Sequence, residues 1–232
     1  MGLERAAVVV MWTVTALVAL TLLAPLVVTL IVSVSSSSVF NLPPPALSLR
    51  WYDRTLRLHD LWSAVRLSVG IALLSTAISL VMGTLVAIAL TRASFPGTTT
   101  LLTVIVSPLM MPGLVVGVAL LSLLRELGLR DAYVSLLIGH VVITLPYVAR
   151  TVLAPAFLTS GLFAFLASMD NYPISIFLVD ARNKTLPILM LQYLEENPDP
   201  TIAAISSGLI VLTIIVLLVA DRLVGLRRLA DF

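Results

Sequence analysis

Long apolar stretches alternate with short polar segments along the chain. A helix needs roughly 20 mostly apolar residues to cross a bilayer. The stretches that approach or exceed this length predict spans at 6–34, 61–91, 101–124, 132–149, 157–179 and 202–224. Because unpaired backbone groups find no water in lipid, each span is expected to be helical. The pattern predicts an all-α, polytopic membrane helical bundle with about six transmembrane helices, and 1–232 as a single domain.

The polar segments between the spans predict loops. Residues 35–60 contain a serine run, a proline run and alternating arginine and aspartate, and 180–201 combines a short amphipathic stretch at 186–194 with an acidic end. The first span exceeds the roughly 7–15-residue apolar core of a signal peptide, which favours an uncleaved first helix. The basic residues divide nearly evenly between the two sides, so the positive-inside rule chooses no orientation.

Composition excludes an ordinary soluble domain. Hydrophobic residues make up 59% of the chain, charged residues 11%, and the mean hydropathy is +1.11, whereas soluble domains carry about 25% charged residues. There is no cysteine, hence no disulfide framework or thiolate metal site. The net charge of +2 rests on loop arginines and predicts no nucleic-acid partner. No phosphate-cradling glycine loop or Ser/His/Asp arrangement is found, so we predict no enzyme, no cofactor and no metal site.

Prolines fall inside several predicted spans. Each removes a helix hydrogen bond and permits a kink, while neighbouring helices can satisfy the freed carbonyl. They are densest in 107–113, which is either a flexing region of a gate or a static packing kink. The gating or kink candidates are Pro25, Pro108, Pro112, Pro146 and Pro173.

Asp170 is the only acidic residue well inside a predicted span. An ionisable group at that depth is costly and usually faces a polar cavity or a partner. One interpretation makes Asp170, with Asn171 and Tyr172, a wall of a substrate path suited to a cationic or polar solute. The other makes Asp170 a structural hydrogen-bond partner for another helix or subunit.

One histidine and several glycines are predicted to hold helices together. His140 is expected to form an interhelical hydrogen bond, the alternative being a proton relay. Glycines allow helices to approach closely in membranes. The predicted close-packing sites are Gly70, Gly83, Gly113 and Gly117.

A series of motifs resembles the inner-membrane permeases of ABC importers, in order along almost the whole chain. The spermidine/putrescine type is the most similar, and the resemblance implies a type I importer permease fold. The motifs lie at 47–52, 66–76, 145–150, 161–168, 170–177, 185–190 and 199–206.

The resemblance also implies a cellular setting. It implies a multi-pass protein of the inner (plasma) membrane with a cytoplasmic N-terminus. The implied partners are the lipid bilayer, a second permease subunit, two cytoplasmic ATPase subunits and a periplasmic or extracellular solute-binding protein. The implied function is to form the translocation path for a small solute, which would be a polyamine. Ferric iron, thiamine or an anion are alternative solutes.

The segment between Arg150 and Pro155 departs from the family. Permeases of this type carry there a cytoplasmic loop beginning Glu-Ala-Ala, whose short helix sits in a cleft of the ATPase. No glutamate lies between Leu127 and Leu194, and a docking helix needs on the order of ten residues. The sequence predicts a truncated coupling region, which casts doubt on coupling to ATP hydrolysis. An internal deletion in the gene or gene model, a degenerate paralogue, or reliance on a partner permease would each explain it.

Two further classes of function stay open. The chain is alternatively a non-transporting or degenerate membrane scaffold subunit built on the permease fold. A secondary transporter acting alone is less consistent with the sequence, because it is expected to carry more intramembrane acids for ion coupling and discontinuous spans in matching halves.

Overall fold

The structure, a computed structural model, describes residues 2–92, 97–151 and 157–224. Its regular elements in those ranges are helices, with one isolated bridge between Ser35 and Leu47. The predicted all-helical fold is therefore confirmed. The helices are α1 (Gly2–Ser33), α2 (Arg50–Leu56), α3 (Leu61–Arg92), α4 (Thr98–Met110), α5 (Gly113–Glu126), α6 (Ala132–Thr151), α7 (Phe157–Met169), α8 (Ser175–Leu178), α9 (Leu186–Glu196) and α10 (Thr201–Val224).

Four helices are long and apolar enough to cross a membrane. They are α1, α3, α6 and α10, each matching a predicted span, through the segments Arg5–Ser33, Leu61–Leu90, Ala132–Ala149 and Thr201–Val219. A fifth span is present if α4 and α5 together cross once. Among the described helices this gives four or five spans, against the six stretches predicted from hydropathy.

The predicted span 101–124 is not one helix. It consists of α4 and α5, which are bent by 110° relative to each other. The residue before a proline is pushed out of the helical region, and Met111, before Pro112, has φ −95° and ψ 147°. Pro112 also has no N–H with which to continue α4. The prediction of a continuous helix here is wrong because two backbone effects act at one point.

The predicted span 157–179 is also interrupted. Helix α7 ends at Met169 and the four-residue α8 begins at Ser175. Residues 170–174 lie between them and include Pro173, which cannot donate a backbone hydrogen bond. At 13 residues, α7 is shorter than the roughly 20 residues that a full crossing needs.

The chain divides into two compact units. The first comprises the N-terminal segment through Leu58 together with Tyr193–Leu217. The second comprises His59–Gln192 together with the stretch that begins at Leu218. The expectation of a single domain over 1–232 stays a prediction.

The first unit contains a helix that the sequence did not indicate. Helix α2 lies inside the predicted loop 35–60 and buries Trp51, whose indole Nε1 donates to the main-chain oxygen of Ser35 at 2.8 Å. The Tyr52 hydroxyl lies 2.8 Å from the Ser207 hydroxyl of α10. Arg54 forms an ion pair with Asp199 at 3.0 Å. These contacts attach α2 to the segment that leads into α10.

The second unit is built around α3, α6 and α7, which pack against one another. Its buried apolar cluster includes Ile71 of α3, Leu136 and Ile143 of α6, and Ile174 beside α8. Helices α5 and α8 also pack together in this unit.

Two glycines of α3 have very different surroundings. A Cβ atom at Gly83 would lie 2.6 Å from Val148 Cγ1 and 3.2 Å from the main-chain nitrogen of Ala149, both in α6. A Cβ atom at Gly70 would meet nothing within 4 Å. The close-packing prediction is therefore confirmed for Gly83 and wrong for Gly70.

We expect Gly83→Ala to lower the free energy of unfolding by about 1–3 kcal/mol, since it overpacks the contact between α3 and α6. Gly70→Ala is the matched control in the same helix. It is expected to leave the stability unchanged or raise it by up to about 1 kcal/mol through helix propensity. Unfolding of the purified protein in mixed micelles, followed by circular dichroism, measures both. Equal stability of the two variants would contradict the close approach at Gly83.

Candidate functional site

The break between α7 and α8, residues 170–174, contains the polar residues singled out in the sequence. Asp170 directly follows α7 and is exposed, while Asn171 and Tyr172 are half-buried. The prediction that Asp170 lies within a continuous helix is wrong, because the chain leaves the helix at this residue. The structure instead places the three polar side chains together where an apolar segment is interrupted.

Asn171 stabilises the shape of the break. Its side-chain oxygen accepts a hydrogen bond from the main-chain nitrogen of Ile174 at 3.2 Å. Its main-chain oxygen accepts a hydrogen bond from the Ser175 hydroxyl. Asparagine side chains commonly close turns in this way, because the amide oxygen substitutes for a backbone acceptor.

His140 of α6 joins the two sides of the break. Its Nδ1 lies 2.6 Å from the Ser168 hydroxyl of α7, and its Nε2 lies 3.0 Å from the Ser175 hydroxyl of α8. The side chain is only 2% exposed. Because the Ser175 hydroxyl donates its proton to the Asn171 main-chain oxygen, it accepts from Nε2–H, and the Ser168 hydroxyl donates to Nδ1, so the neutral tautomer protonated at Nε2 satisfies both ring nitrogens. The prediction that His140 forms an interhelical hydrogen bond is confirmed.

Further buried hydroxyls extend this contact towards α3. The Ser75 hydroxyl of α3 lies 3.2 Å from that of Ser168, and the Ser79 hydroxyl lies 2.7 Å from that of Thr144 in α6. Thr144 in turn donates to the main-chain oxygen of His140 at 2.7 Å. We call these residues and His140, Ser168 and Ser175 the polar network. It supplies hydrogen-bond partners where lipid and the apolar core supply none.

The break also touches the bend between α4 and α5. A Cβ atom at Gly113 would lie 2.8 Å from Pro173 Cβ, and one at Gly117 would lie 3.1 Å from the Pro173 main-chain oxygen. A Cβ atom at Gly139 would lie 2.5 Å from Leu178. The close-packing prediction is confirmed for Gly113 and Gly117, whereas Gly139 was missed in favour of its neighbour His140.

The remaining prolines have varied positions. Pro25 lies inside α1, Pro108 inside α4 and Pro146 inside α6, where it is fully buried. Pro112 precedes α5 at the 110° bend. The structure thus separates prolines that a helix accommodates from Pro112 and Pro173, which lie at interruptions.

The predicted coupling region lies largely outside the described residues. The backbone of Arg150 continues α6, which ends at Thr151, and α7 begins at Phe157. Pro155 falls in the undescribed segment 152–156.

In the ranges that the structure describes, no group of three or more His, Cys, Asp or Glu side chains is arranged to hold a metal ion. The side chains at the break offer an exposed carboxylate, an amide and a phenol.

Comparison with known proteins gives relatives of one kind. No family model matches the chain. The chain is 25% identical to the spermidine/putrescine transport system permease protein PotC of Escherichia coli, over 86% of this chain and 88% of PotC. It is 26% identical to the putrescine transport system permease protein PotI of the same organism, over 80% of each chain. The trehalose transport system permease protein SugB of Mycobacterium tuberculosis is 31% identical over 41% of this chain and 35% of SugB.

A solved structure has the same fold. It is a crystal structure of a bacterial ABC transporter involved in the import of the acidic polysaccharide alginate. The TM-score is 0.61 with 17% identity, covering 96% of both chains. The chain therefore has the fold of an ABC importer permease and is homologous to the PotC and PotI permeases. Its homology to these permeases and its several apolar helices indicate a multi-pass inner-membrane protein of the transport permease type.

The alignments also show that this chain is shorter than its relatives within the matched region. The PotC alignment is 232 positions long but uses 86% of this 232-residue chain, which is about 200 residues. About 30 positions of PotC therefore have no counterpart here. The PotI alignment is 226 positions long and uses only 80% of this chain, so positions of PotI also lack a counterpart here.

We expect His140→Ala to lower the free energy of unfolding by about 1–3 kcal/mol, because the Ser168 and Ser175 hydroxyls each lose a buried partner. His59→Ala is the control, since His59 is exposed and is the only other histidine. Unfolding in mixed micelles measures both variants. If His140→Ala were as stable as His59→Ala, the hydrogen bonds across the break would contribute nothing.

Proposed function

We propose that this permease subunit forms part of the translocation path for a polyamine, a small linear polycation, in a binding-protein-dependent ABC importer. The observation that carries the proposal is the similarity to PotC and PotI, which are named for spermidine/putrescine and putrescine transport and are matched over 80–86% of this chain. An acyl-transfer or metal-dependent activity has no comparable support.

The break between α7 and α8 has the chemistry that a polyamine requires. Asp170 presents an exposed carboxylate immediately after the C-terminal end of α7. A helix C-terminus carries a partial negative charge, so the carboxylate and the helix end attract the same cation. Tyr172 adds an aromatic face of the kind that binds ammonium groups, and Asn171 adds an amide. We propose that Asp170, Asn171 and Tyr172 line the path.

The contact between the two interruptions suits a gate. Pro173 packs against Gly113, one residue after the α4–α5 bend at Pro112. Hinges of transporters and enzymes are a few residues at the ends of elements, where backbone angles can change without breaking a regular helix. We propose that Pro112 and Pro173 take part in gating, and that Pro108 and Pro146 act as fixed kinks within α4 and α6.

The proposed assembly contains a second permease subunit, two cytoplasmic ATPase subunits and a solute-binding protein, with the N-terminus of this chain cytoplasmic. Relatives named as permeases of transport systems support such an assembly. The apolar surface of helix α1 also supports this assembly. None of its most apolar segment is buried within this chain, so α1 is available to lipid or to the second permease.

A non-transporting scaffold subunit is the second candidate function. It is favoured by the sequence between Arg150 and Pro155, which is too short for a docking helix of on the order of ten residues, and by the roughly 30 PotC positions without a counterpart. An ATPase would have no docking helix on this side of the assembly. Transport would then depend on the partner permease for its coupling.

We expect Asp170→Asn to reduce polyamine uptake roughly fivefold, because the loss of one exposed negative charge weakens the attraction of the cation by about 1 kcal/mol. Uptake of radiolabelled spermidine by cells that depend on this transporter measures the effect, with membrane expression checked by immunoblot. Asp60→Asn is the control, since Asp60 is an equally exposed carboxylate in the loop before α3. Unchanged uptake by Asp170→Asn at equal expression would remove Asp170 from the path.

The scaffold function predicts a different result in a purified system. We expect the chain to co-purify with its partner permease but to give no substrate-stimulated ATP hydrolysis when it is the only permease in the assembly. Insertion of a coupling loop from a related permease between Arg150 and Pro155 is expected to restore the stimulation. A stoichiometric complex of the unaltered chain with the ATPase, showing substrate-stimulated hydrolysis, would contradict the scaffold function.

A further inference from the structure

A cavity of about 450 Å³ lies in the second unit, where the end of α5, the start of α6 and the residues around α8 meet. Its lining includes apolar side chains, among them Leu121, Leu124 and Phe177, and the charged side chains of Arg125, Arg130 and Asp180. A lining that combines apolar and charged groups fits an amphiphile better than a fully polar solute.

The two arginines of this lining have no partner within the part of the chain that the structure describes. Both are exposed, and neither forms an ion pair or a side-chain hydrogen bond with any residue in the described ranges. Elsewhere the chain does pair its arginines, as Arg54 with Asp199 at 3.0 Å and Arg57 with Asp53 at 2.9 Å. The guanidinium groups at the cavity therefore remain available to a ligand.

Asp180 forms no ion pair with either arginine among the described residues. One of its carboxylate oxygens accepts hydrogen bonds from the main-chain nitrogens of Arg182 at 2.8 Å and Asn183 at 2.7 Å. The Asn183 backbone hydrogen bond lowers the pKa of Asp180, so this carboxyl group is ionised at neutral pH. The lining therefore carries two positive charges and one negative charge, which leaves it net positive. The Asp180 carboxylate already accepts hydrogen bonds from the backbone of its own loop.

The position of the cavity matches the surface of a bilayer. It lies at the ends of two membrane-segment helices, where α5 stops at Glu126 and α6 starts at Ala132. Large apolar side chains beside it are exposed, among them Leu123 at 51% and Leu127 at 64%. Arginines at helix ends reach the level of lipid head groups, and anionic head groups are attracted to basic residues there.

We propose that this cavity binds an anionic phospholipid, with the phosphate held by Arg125 and Arg130 and an acyl chain lying along Leu121, Leu124 and Phe177. A guanidinium group presents a planar fork of donors that matches two phosphate oxygens. The apolar side chains of the lining would contact the acyl chain, which a free phosphate ion lacks. The lipid would fill the space between α5 and α8, and so support the segment that carries the proposed gate.

The test compares lipids on the unaltered chain. The purified protein is placed in phosphatidylcholine nanodiscs, phosphatidylglycerol is added in steps, and bound lipid is counted by native mass spectrometry while the thermal midpoint is followed. We expect phosphatidylglycerol to bind roughly tenfold more tightly than phosphatidylcholine and to raise the midpoint. The double variant Arg125→Gln/Arg130→Gln is expected to lose this preference. The control Arg66→Gln/Arg92→Gln, which removes two exposed arginines of α3, is expected to keep it.

Several results would overturn the proposal. Equal binding of the two lipids by the unaltered chain would do so without any variant, so a folding failure of the double variant leaves the experiment decisive. Inorganic phosphate that raises the midpoint as much as phosphatidylglycerol would show a site for a soluble anion instead. Retention of the lipid preference by the double variant would place the lipid elsewhere. None of these readouts depends on polyamine uptake, so the lipid site and the proposed transport function fail separately.

Discussion

The absence of water inside a bilayer is the constraint on which the rest of this structure depends. A helix satisfies its own backbone there, but an interrupted helix leaves donors and acceptors that only the protein can pair. At the interruption between α7 and α8, the Asn171 side chain accepts from the main-chain nitrogen of Ile174, and the Ser175 hydroxyl donates to the main-chain oxygen of Asn171. His140 contacts the Ser168 and Ser175 hydroxyls on the two sides of this break, at 2.6 and 3.0 Å.

The sequence predicted two kinds of feature. The first is set by the composition of a long stretch of residues, and the second by a single unusual residue. Four spans follow from apolar length alone, and α1, α3, α6 and α10 match them. His140 was recognisable because a lone histidine among apolar residues needs partners, whatever the fold. The family resemblance was readable because its motifs occur in order along the chain, and the relatives confirm it.

Hydropathy could not locate the interruptions, because the average over a span does not change at a break of a few residues, although Pro112 and Pro173 were marked as candidate kinks. The prolines did not distinguish them either. Pro146 is accommodated within α6, whereas Pro112 lies at a 110° bend. Close packing is likewise absent from the sequence pattern, as where Pro173 fits against Gly113. The close-packing prediction for Gly70 was wrong for the same reason, because how closely two helices approach depends also on the residues of the facing helix.

The connection between α6 and α7 has a mechanical consequence. Helix α6 ends at Thr151, beside that connection, and carries His140 about halfway along its length. Any displacement applied at the connection therefore moves a helix whose hydrogen bonds to Ser168 and Ser175 span the break.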